Sequence, residues 1–403
     1  MSSSATLPAP SRQLRLARIA VAALFLTNGA VFFNVVPRYP QIKADLGLSN
    51  ALLGTAIAAF PTGALLAGLL AGAAVRRFGS ARVASFGIVL TAIATLAVPL
   101  APNWPTLAAV LFVVGALDAI VDVAQNAHGL RVQRAYGRSI VNSLHGVWSI
   151  GAVLGGLMGS AAAGLHLSLG VHLLISATVF SAVALIAYPF LLSGPEDAER
   201  STSASPVRRE APGTRRRPFG HAALGMIAAL GVLAACGALV EDAGSSWGAL
   251  FFTDELHTGA ATAGLAVVTL QVAMTIGRLT GDRAVDRFGQ RTVVRAGGLI
   301  AAAGMGLALA VPSLPTALAG FALAGVGTAT LVPAAMHTAD ELPGLTPGTG
   351  LTIVSWLLRG GFLLSPPLVG LIADLTSLRI GLLTVVLAGL LTAALSRTLL
   401  NHT

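Results

Sequence analysis

Val75-Arg76-Arg77-Phe78-Gly79 recurs 210 positions later as Val285-Asp286-Arg287-Phe288-Gly289, each time as a short polar turn between two long apolar segments. At the same offset Val83 answers Val293, Pro105-Thr106 answers Pro315-Thr316, Gly115 answers Gly325 and Gly151 answers Gly361. Matches spread over half the chain at one constant offset mark two copies of a helical unit. Parallel repeats within a bilayer are one plan for building a transporter.

Composition puts the repeat in lipid. Only 10% of the 403 residues are charged, against roughly 25% in a soluble domain. A soluble fold of this size has too few charges here to solvate its surface. Mean hydropathy is +0.81, and the apolar runs reach the roughly 20 residues that a helix needs to cross a hydrocarbon core. Those runs are 19–36, 52–75, 83–100, 106–125, 140–163 and 169–192 in the first copy. In the second they are 222–240 (extending toward 252), 261–279, 293–311, 316–336, 349–372 and 380–395. The expected fold is all-α and integral to the membrane, with twelve transmembrane helices in two pseudo-symmetric six-helix bundles. Residues 1–192 form the first bundle, 193–219 a linker and 220–403 the second. The 46 glycines suit close helix packing in lipid.

A net charge of +9 invites a nucleic-acid reading, but the charges are placed for topology. With the N-terminus in the cytoplasm, all but four of the 25 basic residues fall on the inner side, in loops, terminal segments or the inner ends of spans; Arg38, Lys43 and Arg379 fall outside, and Arg359 lies within span eleven. That is the positive-inside pattern, and it sets both termini on the cytoplasmic face of the cell membrane. The run after Arg12, Arg15 and Arg18 is longer than a signal-peptide core and lacks a small-x-small cleavage site, so it reads as the first span. The linker carries Arg208-Arg209 and Arg215-Arg216-Arg217, arginines suited to pinning topology and touching anionic headgroups. Cys236 is the single cysteine, which excludes an internal disulfide and a thiolate cluster.

The repeated turn resembles the signature of the major facilitator superfamily, G-x-x-x-D-R-x-G-R-[RK], which joins spans two and three and again eight and nine. Asp286-Arg287-Phe288-Gly289-Gln290-Arg291 follows it closely; Gly72-Ala73-Ala74-Val75-Arg76-Arg77-Phe78-Gly79 carries Arg76 where the family has Asp. Asp122-Val123-Ala124-Gln125-Asn126-Ala127, Ser143-Leu144-His145-Gly146 and Ser365-Pro366-Pro367-Leu368-Val369-Gly370 look like the branch that contains fucose permease and related bacterial carriers. The resemblance implies secondary active transport of a small organic solute by alternating access. It assigns a cytoplasmic gate to Arg77, Gly79, Asp286, Arg287 and Gly289. An Asp near the start of a facing helix meets its free N–H groups and positive dipole end. Asp286 is therefore expected to dock near Ser139 when the cytoplasmic side is closed, a latch that Arg76 cannot mirror.

Span four carries Asp118, Asp122, Gln125 and Asn126 at spacings that share one helical face. A mid-bilayer Asp costs about 2.5–3.5 kcal/mol on insertion scales, so such residues normally face a cavity or a partner. Burial and mutual repulsion both work against two charges here, which is the behaviour proton coupling needs. The resemblance implies acids on spans four and one; span one has Asn28 and Asn34 but no acid. His145 is placed to relay protons with Asp122. Arg359 lies too deep to snorkel; it either pairs with a buried acid such as Asp118 or anchors an anionic or carbonyl-rich substrate. Span seven ends in Glu241-Asp242, read as lying at the outer mouth of the cavity on a bent or broken helix, with Glu241 a second proton or substrate site and Asp242 wet. Trp148, Trp356 and Gln271 complete the cavity candidates, and Trp247 has the same aromatic character. Each tryptophan serves equally well as packing.

Enzyme signatures fail on context. Gly244-Ser245-Ser246-Trp247-Gly248 fits G-x-S-x-G, but no strand-to-helix turn is available for a nucleophile. Lys43 follows Ile42, so there is no phosphate-binding Gly-Lys, and no zinc-binding HExxH occurs. The expectation is a non-enzyme, with no cofactor, metal or nucleic acid, working as a monomer in the bilayer on a small-molecule substrate and protons. Three readings stay open: proton-coupled uptake, proton-antiport efflux and a transport-dead sensor. The second draws on Gly151, Gly155, Gly156 and Gly159, which resemble an antiporter motif with Gly156 where that motif has Pro.

Overall fold

The computed structural model describes residues 11–196, 221–342 and 349–400. Most of the expected linker lies outside these residues. Among them, 12 helices are long and apolar enough to cross a membrane. In lipid every backbone polar group must be satisfied within its own segment, so each apolar run becomes a helix.

The first half begins with α1 (Arg12–Val35), bent through a single 3-10 turn into the short α2 (Tyr39–Asp45). α3 (Asn50–Phe78) and α4 (Ser80–Thr95) follow, then α5 (Trp104–Tyr136), α6 (Val141–Gly164) and α7 (Leu169–Ala187). The second half opens with α8 (His221–Asp254), α9 (Ala260–Phe288) and α10 (Gln290–Ala310). α11 (Leu314–Thr328) continues after a break as α12 (Leu331–Asp340). α13 (Thr349–Leu375), the four-residue α14 (Leu378–Gly381) and α15 (Leu383–Leu395) complete it.

Gly79 and Gly289 take φ of 85° and 77°, in the region where a side chain is strained. They make the two equivalent turns between α3 and α4 and between α9 and α10. The repeat found in sequence is therefore a repeat of backbone geometry.

Three expectations about the spans change. Span four does not stop near residue 125, because α5 runs unbroken to Tyr136 and keeps its polar residues inside one helix. Span seven is neither broken nor finished at Val240. α8 is continuous to Asp254, so Glu241 and Asp242 sit in its middle and not at an outer mouth. Span ten is the one that breaks, between Thr328 and Leu331.

The halves meet mainly through α3 against α13 and α6 against α9. They are tightest at the end where α3 begins and α13 finishes. There a Cβ on Gly54 would overlap the Pro366 carbonyl, and one on Gly370 would overlap the Asn50 carbonyl. Lys43 pairs with Asp254 at 3.4 Å across the same end. One apolar cluster spans both halves there, including Tyr39, Leu53, Trp247 and Leu250. A separate cluster, built on Val21, Val75, Ala84 and Ile140, belongs to the first half alone and lies toward its Gly79 turn. The molecule is closed at the α2 end.

Candidate functional site

α5 antiparallels the early part of the first half and brings its acids against α1. The Asn28 side-chain amide donates to Asp118 Oδ1 at 2.7 Å. Asn28 Oδ1 in turn accepts from the Trp148 indole at 2.9 Å and from Gln125 Nε2 at 3.4 Å. Gln125 Nε2 also reaches Asp122 Oδ1 at 3.3 Å, and Asn126 Nδ2 donates to the same oxygen at 3.0 Å. A continuous chain thus runs Asp118, Asn28, Gln125, Asp122, linking the two acids through two amides. Gln125 Oε1 is buried without a hydrogen-bond partner, leaving this network one donor short. Buried polar atoms in that state are rare and costly.

Asp122 faces an open cavity of about 360 Å³ lined by α3, α5 and α13. Opposite it, on α13, stand Arg359, Trp356, Ser355 and Thr352. Arg359 is exposed and makes no hydrogen bond or ion pair among the described residues; its field reaches Asp122, not Asp118. The expected pairing of Arg359 with Asp118 is thereby replaced, because Asn28 occupies that carboxylate. The guanidinium lies beside α3 at Gly68. His145 is also in the field of Asp122 and stands edge-on to Phe25, with ring centroids 5.3 Å apart. An unpaired cation and an acid from opposite halves, with an aromatic face between polar hydroxyls, suit a small polar ligand.

The Major Facilitator Superfamily model matches residues 21–248 and 232–402. The chain belongs to this superfamily. An uncharacterized transporter, y4wD, of Sinorhizobium fredii is 30% identical over 93% of this chain and 96% of its own. A bacterial homologue of the human lysosomal transporter Spinster, solved inward-facing and occupied, superposes with a TM-score of 0.72 over 96% of this chain and 98% of its own, at 18% identity. FucP, solved in the outward conformation, superposes with a TM-score of 0.60 over 96% and 99%, at 16% identity. This is a multi-pass membrane transporter of the superfamily.

Other residues singled out in the transporter sequence lie elsewhere. Asn34 does not line the cavity. It is fully buried within the first half, donating to Ala30 O and meeting His172 Nε2 at 2.7 Å. Gln271 is equally shut away, donating to Ser245 Oγ at 3.3 Å. Trp247 is buried in the core that joins the halves, whereas Trp148 serves the Asn28 network and Trp356 the cavity. Glu241 is ion-paired with Arg278 of α9 at 3.1 Å. Gly151, Gly155 and Gly159 press against the backbone of α1 at Leu26, Ala30 and Asn34; close packing accounts for them.

The superfamily turn is open in this conformation. Asp286 is exposed and has no hydrogen bond or ion pair among the described residues, so it is not docked near Ser139. Arg287 lies over the neighbouring Phe288 ring, and Arg77 is exposed. At the equivalent turn Arg76 stands in place of the acid, and a carboxylate reaches the start of α4 from Glu196 instead. Its Oε1 accepts from the Ser80 amide at 2.6 Å and lies 3.4 Å from the buried guanidinium of Arg131. Gly79 offers no capping side chain at the start of α4, and Glu196 fills that role. Asp374, at the end of α13, is a second such residue, its carboxylate accepting from the Asn50 and Ala51 amides of α3, both at 2.8 Å. No local pattern distinguishes either residue, since each partner comes from a distant element.

Proposed function

We propose that this transporter moves a small polar solute through a cavity between its halves by alternating access, driven by protons that bind the Asp118–Asp122 network. The observation that carries the reading is the joint placement of Asp122 and Arg359 on one cavity wall pair, with Asp122 wired through Gln125 and Asn28 to Asp118. Arg359 offers a planar fork of donors to an anionic or carbonyl-rich group, and Trp356 offers a ring face. A proton taken up by Asp122 would remove the negative charge facing Arg359 and weaken the pull on the Gln125 amide, a change that Asn28 shares with Asp118. The restriction of the tightest inter-half contacts to one end supports a rocking exchange between two closures. Positive-inside placement supports a cytoplasmic-membrane location with both termini inside.

The test is uptake by proteoliposomes of a solute first selected by thermal-shift screening against sugars, organic acids and nucleosides. An inward proton gradient should accelerate flux at least tenfold in the wild type and not in Asp118→Asn. Flux indifferent to the gradient would exclude proton coupling. Binding with no flux at all would favour a sensor.

A further inference from the structure

Asp242 is an acid in the interior that the cavity does not use. Asp242 lies beside Glu241 on α8, on the core that joins the halves. Its Oδ1 accepts from Ser246 Oγ, one turn along, at 3.2 Å. Its Oδ2 is sealed from solvent and has no hydrogen-bond partner among the described residues. The Oγ of Ser365 on α13, a residue 1% exposed, is orphaned in the same way. These two orphans are neighbours, Ser365 lying within interaction range of the Asp242 carboxyl group.

Among the described residues, the surroundings hold no cation to neutralise a charge. From α2, in the other half, Tyr39 is 2% exposed and has Asp242 in its field. On α8 itself the charged neighbour is Glu241, already paired with Arg278 of α9. From α13 the facing group is the Ser365 hydroxyl. No lysine or arginine among the described residues lies within ion-pair distance of Asp242. A carboxylate removed from water without a cation is costly. The Ser365 hydroxyl could donate to a charged Oδ2, but the charge would stay buried without a cation; one proton on Oδ2, donated to Ser365 Oγ, removes that cost and also partners both atoms.

We infer that Asp242 is a second proton-binding site, in the half that has Thr328 where the first half has Asp118, and that Tyr39 covers it while the α2 end is closed. The inference rests on the proton-coupled reading above and extends it. Tyr39 belongs to the first half and Asp242 to the second, so parting of the halves at this end uncovers the carboxyl group. The proton then exchanges with bulk water: the Oδ2–H bond breaks, water takes the proton, and the ion left behind is hydrated. Closure reverses the sequence. Each half thus holds a proton site.

Infrared difference spectroscopy of the reconstituted full-length protein across a pH titration reads the carbonyl stretch of protonated carboxylic acids. The wild type should show a titrating band that is lost in Asp242→Asn, displaced in Ser365→Ala, which removes its acceptor, and retained in Asp118→Asn. A titrating band that survives Asp242→Asn unchanged but disappears in Asp118→Asn overturns the inference and leaves proton coupling standing. Absence of any titrating acid band in the wild type removes both. The asparagine replacement is nearly isosteric, and Ser365→Ala gives an independent reading should Asp242→Asn melt early.

Discussion

The carboxylate of Asp374, at the end of α13, accepts hydrogen bonds from the backbone amides of Asn50 and Ala51, both at 2.8 Å. It thereby caps the first turn of α3 from the opposite half, beside that helix's own Ser49 cap. A helix start exposes several N–H groups without partners and carries the positive end of the dipole. An acid there is a tie between halves that breaks when this end opens. The superfamily signature places such an acid on the other face; here the occupied contact is on the α2 end.

Replacing Asp374 by Asn should remove about 1 kcal/mol from the closed state, the usual scale of a capping or dipole contact at a partly wet site. That corresponds to roughly a fivefold shift in population. Distances between spin labels on the outer ends of α3 and α13 should broaden toward longer values. An unchanged distribution would show that Asp374 merely decorates the contact.

Gly54→Leu should act in the same direction through sterics. Even a Cβ at this position overlaps the Pro366 carbonyl, and a close-packed interface does not deform freely. With Cys236 replaced by Ser and a cysteine introduced at the α2 end, the variant should therefore label faster with a thiol reagent than the same protein with Gly54. Equal labelling would mean that the closure relaxes around the side chain.

Asn28→Ala should cost more in transport than its size implies. It strips Asp118 of its donor and releases both Trp148 and Gln125, and each buried polar group left unsatisfied costs about 1–3 kcal/mol. Proton-driven uptake should fall at least tenfold and the melting temperature should drop. Retention of wild-type flux by a stably folded variant would detach Asp118 from coupling.

Arg359→Ala should leave the melting temperature of the ligand-free protein unchanged, since the guanidinium has no ion pair among the described residues to lose. Binding of the screened solute should weaken by at least tenfold, and Arg359→Lys should recover only part because a point charge does not replace a planar fork. Loss of stability with intact binding would assign Arg359 to the scaffold.

Glu196→Gln should lower stability by roughly 1–2 kcal/mol, since a charged cap on Ser80 and the charge opposite the buried Arg131 are both weakened. Thermal melting reads this directly. No change would show that the turn at Gly79 holds without it.

Much of the fold was legible because its determinants are local. A run of apolar residues between polar turns must become a helix in lipid, and the matching turns at Gly79 and Gly289 required the same backbone in both halves. Asp118 and Asp122 stood out for the same reason, as charges where hydrocarbon was expected. Glu241 and Asp242 were misplaced because α8 continues to Asp254 through a stretch whose Gly-Ser-Ser composition reads as a break. Asn34 was read as a cavity residue because sequence shows that a polar group is buried without showing which way its helix is turned. The packing of α1 against α6 and α7 turns it to His172.

Hydropathy, charge placement and the constant repeat offset by themselves determined a membrane-spanning protein of two related halves, since the bilayer penalises unpaired backbone and misplaced arginines residue by residue. Only the tertiary structure decided who meets whom. Asn28 reaches Asp118 across 90 positions and Asp374 reaches Asn50 across 324. Such contacts depend on how each helix is rotated and which end of the pair of bundles is shut, and that is set by the packing of distant surfaces against each other. The mismatches between the copies (Asp118 against Thr328, Arg359 against Ser149, Asp286 against Arg76) marked where symmetry is broken. The fold then placed the first in a buried hydrogen-bonded chain with Asn28 and the second on a cavity wall. It left the third free at the open end, because the halves are pressed together at the other.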